Sequence, residues 1–315
     1  METSGRIKSI TILRCLALWL VVFGHSLCMY TDKWHAPSEE VVPLWQNVSD
    51  IIYLIHMPLF TLIAGYVYWY VRKSGRYDSM LFFIKKKSLR LLVPFLFWGV
   101  LECFVDLGGN FSTLIEGPLH LWYLRFVFEC FIVTRLFDSW LLQRPFCFLL
   151  IAIVFLVFRF FSIPIIDGTF TSLYCYFVLG VFFNSYSYKF RKLRITSWIL
   201  MLVSFLCMLL CYYHNLKAPL ALCALIFNCM LFLSFSFFRL ENISPAIISL
   251  DGCSMGIYLL HHPIIWNIAN NESTRVLMMS YKYIAPVFLS VVVTILCWAI
   301  THYVNKTKYL RYILG

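Results

Sequence analysis

Residues 10–30 read ITILRCLALWLVVFGHSLCMY, an apolar run long enough to cross a hydrocarbon core of about 30 Å, which takes roughly 20 helical residues. Arg14 and His25 interrupt it. Arg6 and Lys8 precede the run as they would in a secretory leader, but it lacks a small-residue cleavage site and is read as a retained span. Working outward, comparable runs recur at 48–71, 91–107, 118–138, 146–161, 169–186, 198–214, 218–238, 255–270 and 281–304. The composition agrees with them: of 315 residues, 61% are hydrophobic and 13% charged, where soluble domains run at roughly 45–50% and about 25%. These figures exclude a soluble globular fold and equally exclude disorder. The sequence predicts an all-α polytopic membrane helix bundle of about ten transmembrane helices, organised as one domain over 1–315.

The net charge of +11 resembles a nucleic-acid footprint until the cations are placed. With the N-terminus inside, the cytoplasmic segments collect 19 Lys and Arg against 4 on the opposite side, Lys33, Lys217, Arg275 and Lys282. This positive-inside asymmetry puts both termini in the cytoplasm and accounts for the charge with no nucleic-acid partner. The densest stretch contains Arg72, Lys73, Arg76, Lys85, Lys86, Lys87 and Arg90. It reads either as an orientation signal or as a docking surface for a polyanionic ligand. The 12 cysteines lie almost entirely within apolar runs and form no C-x-x-C pair. They read as small buried hydrophobes, and no metal site is expected.

An ionisable side chain at the centre of a span costs about 2.5–3.5 kcal/mol on insertion scales, so each one calls for a reason. Arg14 and His25 are 11 residues apart, close to three turns, which puts them on one helix face about 16 Å apart. An arginine near the membrane surface can grip a phosphate or snorkel to headgroups. A histidine farther in can act as a general base or bond a neighbouring helix. In the second run, His56 stands beside Pro58, which releases a backbone carbonyl one turn back and predicts a kinked or locally opened helix. Lys85–Lys86–Lys87 and Arg90 lead to Pro94, expected in the first turn of the third helix, where its missing N–H is tolerated. His120, Trp122, Arg125 and Glu129 open the fourth run, with Arg125 and Glu129 spaced to pair. His261 and His262 precede Pro263, and their side chains point about 100° apart, so one of them at most is expected to face a given cavity. Glu102 and Arg159 are further intramembrane charges without an assigned role.

Taken in order, Arg14-x10-His25, then His56–Met57–Pro58–Leu59–Phe60 with Gly65, then Lys85 to Pro94, then Leu121–Trp122–Tyr123–Leu124, then Ile257–Tyr258–Leu259–Leu260–His261 resemble the bacterial acyltransferase 3 family. The resemblance spans essentially the whole chain. It implies an integral membrane O-acyltransferase of the bacterial cytoplasmic membrane, moving an acyl group, usually acetyl, from cytoplasmic acyl-CoA to a hydroxyl of a surface or lipid-linked carbohydrate. Acetyl-CoA is then a co-substrate, and the partners are acyl-CoA, a carbohydrate acceptor and the bilayer. The family's critical first-helix pair matches Arg14 and His25, and its donor-associated segment matches Lys85, Lys86, Lys87 and Arg90. His56, Trp122, Arg125 and His261 are the substrate-binding candidates. Arg125 stands where the family pattern leads one to expect an apolar residue, and it is also the candidate oxyanion stabiliser. The chain looks like the stand-alone kind, with no esterase-like domain fused to it.

The mechanism expected from this resemblance has Arg14 and the 85–90 stretch holding CoA phosphates. His25 acts either as general base on the sugar hydroxyl or as transient acyl carrier. The rival reading is a sugar or organic-anion transporter or flippase with buried His and Arg as a relay. A purely structural scaffold explains neither the aligned pair nor the His56 motif.

Overall fold

The computed structural model describes residues 2–33, 40–105, 108–141, 144–158, 168–190, 193–236, 242–307 and 310–315, with side chains from Lys8 onward except Arg311. Arg159, Arg191, Lys192, Arg239 and Lys308 lie outside the described residues. All regular structure among the described residues is helical. In chain order the helices are α1 (Glu2–Ser26), α2 (Pro43–Tyr53), α3 (His56–Lys73), α4 (Met80–Lys87), α5 (Val93–Val105), α6 (Trp122–Leu141), α7 (Cys147–Phe158) and α8 (Gly168–Ser185). There follow α9 (Ser187–Phe190), α10 (Arg194–Tyr213), α11 (Lys217–Ser236), α12 (Pro245–Gly252), α13 (Ser254–Asn270), α14 (Glu272–Ser280) and α15 (Ala285–Val304).

Among the described residues each of the ten apolar runs overlaps a helix, the run 48–71 being divided between α2 and α3. Among the described residues six helical stretches are long and apolar enough to cross a membrane: Lys8–Ser26, Pro43–Lys73, Met80–Val105, Arg194–Tyr213, Lys217–Ser236 and Ala285–Val304. Among the others, α6 carries Arg125, Glu129, Arg135 and Asp138, and α7 has only 12 described residues. α10 presents Ile199, Leu202, Leu206 and Leu210 as exposed apolar side chains, a surface suited to lipid rather than water. This is a multi-pass membrane protein.

The chain divides into two compact units: Met1–Ile10 with Pro58–Glu241, called unit 1, and Thr11–Met57 with Asn242–Gly315, called unit 2. In unit 1, α3 and α8 cross at a pair of glycines. A Cβ on Gly65 would lie 1.9 Å from the Phe177 carbonyl oxygen, and one on Gly180 would lie 2.0 Å from that of Leu62. Only glycine permits so close an approach, the usual device for packing helices where lipid offers no hydrophobic drive. Tyr68, Tyr77, Phe83, Phe131 and Phe177 pack ring to ring around α3, α4, α6 and α8. In unit 2, Gly256 makes the equivalent crossing, since a Cβ there would meet Thr301 Oγ1 of α15 at 2.3 Å. Tyr30 Oη donates to the Met278 carbonyl at 3.2 Å and Trp45 Nε1 to that of Lys282 at 2.6 Å, tying the segments around α1 and α2 to the α14–α15 end.

Between α2 and α3 the helix opens as expected, tightening into i→i−3 bonds from Leu54 N–H to Ile51 O and Ile55 N–H to Ile52 O. Pro58 sits in the first turn of α3. Pro94 is the second residue of α5, in its first turn as expected, but α5 continues an earlier helix. The helix begins at Met80, capped by Ser79, and runs through the basic stretch. A five-residue π-helical segment, Ser88–Leu92, lies just before the proline. The wider turn, with Val93 N–H bonded to Ser88 O, absorbs the missing donor without ending the helix.

Candidate active site

The first-helix pair lies in unit 2. Arg14 Nε meets Asp251 Oδ1 at 2.8 Å, at the C-terminal end of α12. Eleven residues on, His25 Nδ1 meets His261 Nε2 of α13 at 2.8 Å, with the two rings 4.8 Å apart and nearly parallel. Asp251 and His261 are ten positions apart, so the part of α1 from Arg14 to His25 lies in matched register along α12 and α13, held at those two residues. His25 is 6% exposed and His261 fully buried.

The hydrogen bonds settle the proton positions in this pair when both rings are neutral. His261 Nδ1 lies 3.0 Å from the Ile257 carbonyl oxygen, which can only accept, so Nδ1 carries the hydrogen. Neutral His261 then has its lone pair on Nε2 and accepts from His25 Nδ1–H. His25 consequently has its own lone pair on Nε2. A chain of carbonyl, imidazole and imidazole thus fixes one tautomer of His25 and the plane of its ring. Such an arrangement can take a proton at Nε2 and spread the resulting charge back through His261. It plays the orienting part that a carboxylate plays in a hydrolase triad.

His262 also reaches His25, edge-on at 5.5 Å between ring centres, and stacks on Trp266. The expectation that only one of the adjacent histidines would face a given site is therefore corrected: the 100° offset sets both rings on adjoining sides of His25. His56, 2% exposed, donates from Nδ1 to the Ile52 carbonyl at 2.6 Å. The opened α2–α3 junction supplies that carbonyl. Arg14, His25, His56 and His261 thus belong to one unit.

The remaining candidates are in unit 1. Lys85, Lys86 and Arg90 are exposed on α4 and the π-helical turn, whereas Lys87 Nζ sits 3.5 Å over the Phe131 ring. Trp122 and Arg125 line a cavity of about 560 Å³ together with Glu116, Gly117 and Thr169. Gly117 takes φ +92°, and a Cβ there would collide with the Trp122 backbone at 2.6 Å, so glycine is required for the turn that seats this tryptophan. Arg125 Nη1 donates to the Ile115 carbonyl at 2.9 Å, and its Nε lies 3.4 Å from Glu129 Oε1. Glu102, without a role on sequence grounds, faces His120: Nδ1 to Oε1 is 3.3 Å, both 2% exposed.

A match to the acyltransferase domain family covers residues 7–303, from before Arg14 to the end of α15, and includes both units. The chain belongs to the acyltransferase 3 family. Nodulation protein NolL of Sinorhizobium fredii (strain NBRC 101917 / NGR234) is 29% identical over 183 residues, covering 52% of this chain and 45% of that protein. The chain therefore spans less than half the length of this curated relative. No solved structure matches.

Sequence reasoning missed Asp251, although the sequence carries a signal for it. It is the sole acid between Glu241 and Glu272 and stands ten residues before His261, mirroring the spacing of Arg14 and His25. It also missed Glu116, in a turn, and Thr169, the second residue of α8, which no spacing links to Trp122 and Arg125.

Proposed function

We propose that this acyltransferase moves an acetyl group from cytoplasmic acetyl-CoA to a hydroxyl of a cell-surface or lipid-linked carbohydrate. The setting is the bacterial cytoplasmic membrane, with about ten spans and both termini in the cytoplasm. The observation that carries the reading is the Ile257–His261–His25 chain, because a buried imidazole with a fixed lone pair is the group an alcohol needs to become a nucleophile. His25 Nε2 takes the hydroxyl proton while the oxygen attacks the thioester carbonyl. The C–S bond then breaks, the proton passes to the leaving CoA sulfur, and the products are an ester and free CoA. His261, first assigned to substrate, becomes the residue that orients His25. Direct transfer needs no acyl-histidine intermediate.

Lys85, Lys86, Lys87 and Arg90 are assigned to the donor's phosphates, which suit charge-assisted bonds. Arg14 is likewise assigned to an anionic group of the donor, through the guanidinium edge opposite the one Asp251 engages. Trp122, Arg125, Glu116 and Thr169 supply a flat ring and polar groups fitting a sugar, so this cavity is assigned to the acceptor. His56 remains a substrate-side candidate, through its Nε2.

The test uses purified chain in lipid vesicles with radiolabelled acetyl-CoA and glycan extracted from the native cells. The reading predicts base-labile label on glycan from wild type and none from His25→Ala. Labelled donor left intact while glycan or anion crosses the vesicle would favour the transporter reading instead.

A further inference from the structure

Asp138 of α6 has no side-chain exposure, yet three donors converge on it. Tyr68 Oη and Arg72 Nε both donate to Oδ2, the latter at 2.8 Å, and Arg135 Nη1 donates to Oδ1 at 2.8 Å. Both arginines continue to Asp78 in the turn between α3 and α4. Arg72 Nη1 reaches Asp78 Oδ1 at 2.6 Å, and Arg135 Nη2 donates to the Asp78 backbone oxygen at 2.8 Å. Two guanidinium groups and two carboxylates cancel. Removing either acid strands a positive charge in a buried place, which is far costlier than the intact set.

This lock does little for stability that apolar side chains could not do as well. What it does is fix a position. Asp78 is followed at once by Ser79, whose hydroxyl accepts from Phe82 N–H as the cap of α4, so the lock grips α4 at its first turn. The other end is gripped too, by Lys87 over the Phe131 ring at 3.5 Å, with Tyr77 and Phe83 nearby. Lys85 and Lys86 lie between these anchors and Arg90 one turn beyond, all three exposed. No acid occurs between Asp78 and Glu102, and Lys86 and Arg90 stand four apart with like charge, a repelling arrangement. A helix pinned at both ends while it displays uncompensated cations is built to meet an anion at set positions.

We propose that Asp138 is a positioning residue for the acyl donor. Through Arg72, Arg135 and Asp78 it holds α4 so that Lys85, Lys86 and Arg90 meet the donor's phosphates in a fixed array. The inference rests on the acyl-CoA reading above. Its test is steady-state kinetics of the full chain in lipid vesicles with acetyl-CoA varied at saturating acceptor. Asp138→Asn is expected to raise the donor KM about tenfold, with kcat within about twofold and the acceptor KM unmoved. Asp138→Glu is expected to restore most of that loss. Asp78→Asn, at a side chain 72% exposed, should raise the donor KM about threefold and decides the matter if the Asp138 variants do not accumulate. Variants that lower folded yield or kcat while the donor KM stays at the wild-type value would overturn the proposal and leave a packing role. A wild type that draws no acyl group from acetyl-CoA would sink the functional reading and this inference together, whereas an active wild type with unmoved donor KM in the variants sinks this inference alone.

Discussion

Two buried polar constellations, one in each unit, solve the same problem in opposite ways. Around His25 in unit 2, the rings of His261 and a backbone carbonyl satisfy one another through hydrogen bonds that need no net charge. Around Asp138 in unit 1, full charges are present and cancel in pairs. A neutral chain of imidazoles can accept and pass a proton without a large rearrangement. A compensated ionic set resists any change of charge and fixes the backbone it touches. The contrast separates a region built to change protonation from one built to stay put, and each can be broken independently.

The largest effect is expected at the proton-accepting end. His25→Ala should lower acetyl transfer by about 10³-fold while CoA binding, followed by tryptophan fluorescence or calorimetry, stays near the wild-type value. Breaking the orienting step should cost less. His261→Leu removes the acceptor for His25 Nδ1–H and is expected to reduce kcat by about 10²-fold, whereas His261→Gln keeps an acceptor oxygen and should recover part of it. If the two substitutions behave alike, orientation through a hydrogen bond is the wrong account of His261.

On the unit 1 side, the scaffold prediction concerns stability. Gly65→Ala drives a methyl group into the Phe177 carbonyl and should destabilise the protein by about 3 kcal/mol or prevent its accumulation, seen as a lowered melting temperature in detergent. The smallest effect is expected in the 560 Å³ cavity. Trp122→Ala should raise the acceptor KM about tenfold with the donor KM unchanged, measured with each substrate varied in turn. A shift in the donor KM instead would move this cavity from the acceptor to the donor.

The helical class was legible, and so were the helices that the apolar runs mark among the described residues, because hydrophobicity over 15 to 20 residues is a local signal. The first-helix pair was legible for the same reason, since α1 alone fixes the face shared by Arg14 and His25. What sat opposite that face was not. Asp251 and His261 join Arg14 and His25 only through the packing of α12 and α13 against α1, a contact across more than 230 residues. The same holds for Asp138. The i, i+3 spacing shows Arg135 beside it, but Arg72 and Tyr68 arrive from α3, and both arginines look in sequence like ordinary orientation charges. Pro94 lies in the first turn of α5 as expected, but nothing in Ser88–Leu92 advertises the π-helical turn that joins α5 to α4. The run 118–138 was read as a span, but nothing local marks Asp138 at its end as completely buried.

The tautomer of His25 is the claim on which the chemistry turns, and it can be observed. Solid-state nitrogen-15 NMR of histidine-labelled protein in lipid, near neutral pH, distinguishes protonated from unprotonated ring nitrogens for each of the 8 histidines. Comparison with His25→Ala and His261→Leu assigns the two signals. The account predicts a neutral His25 with hydrogen on Nδ1, a lone pair on Nε2, and loss of the Nδ1 hydrogen-bond shift in His261→Leu. A His25 ring carrying its hydrogen on Nε2, or one already cationic in the resting protein, would contradict it.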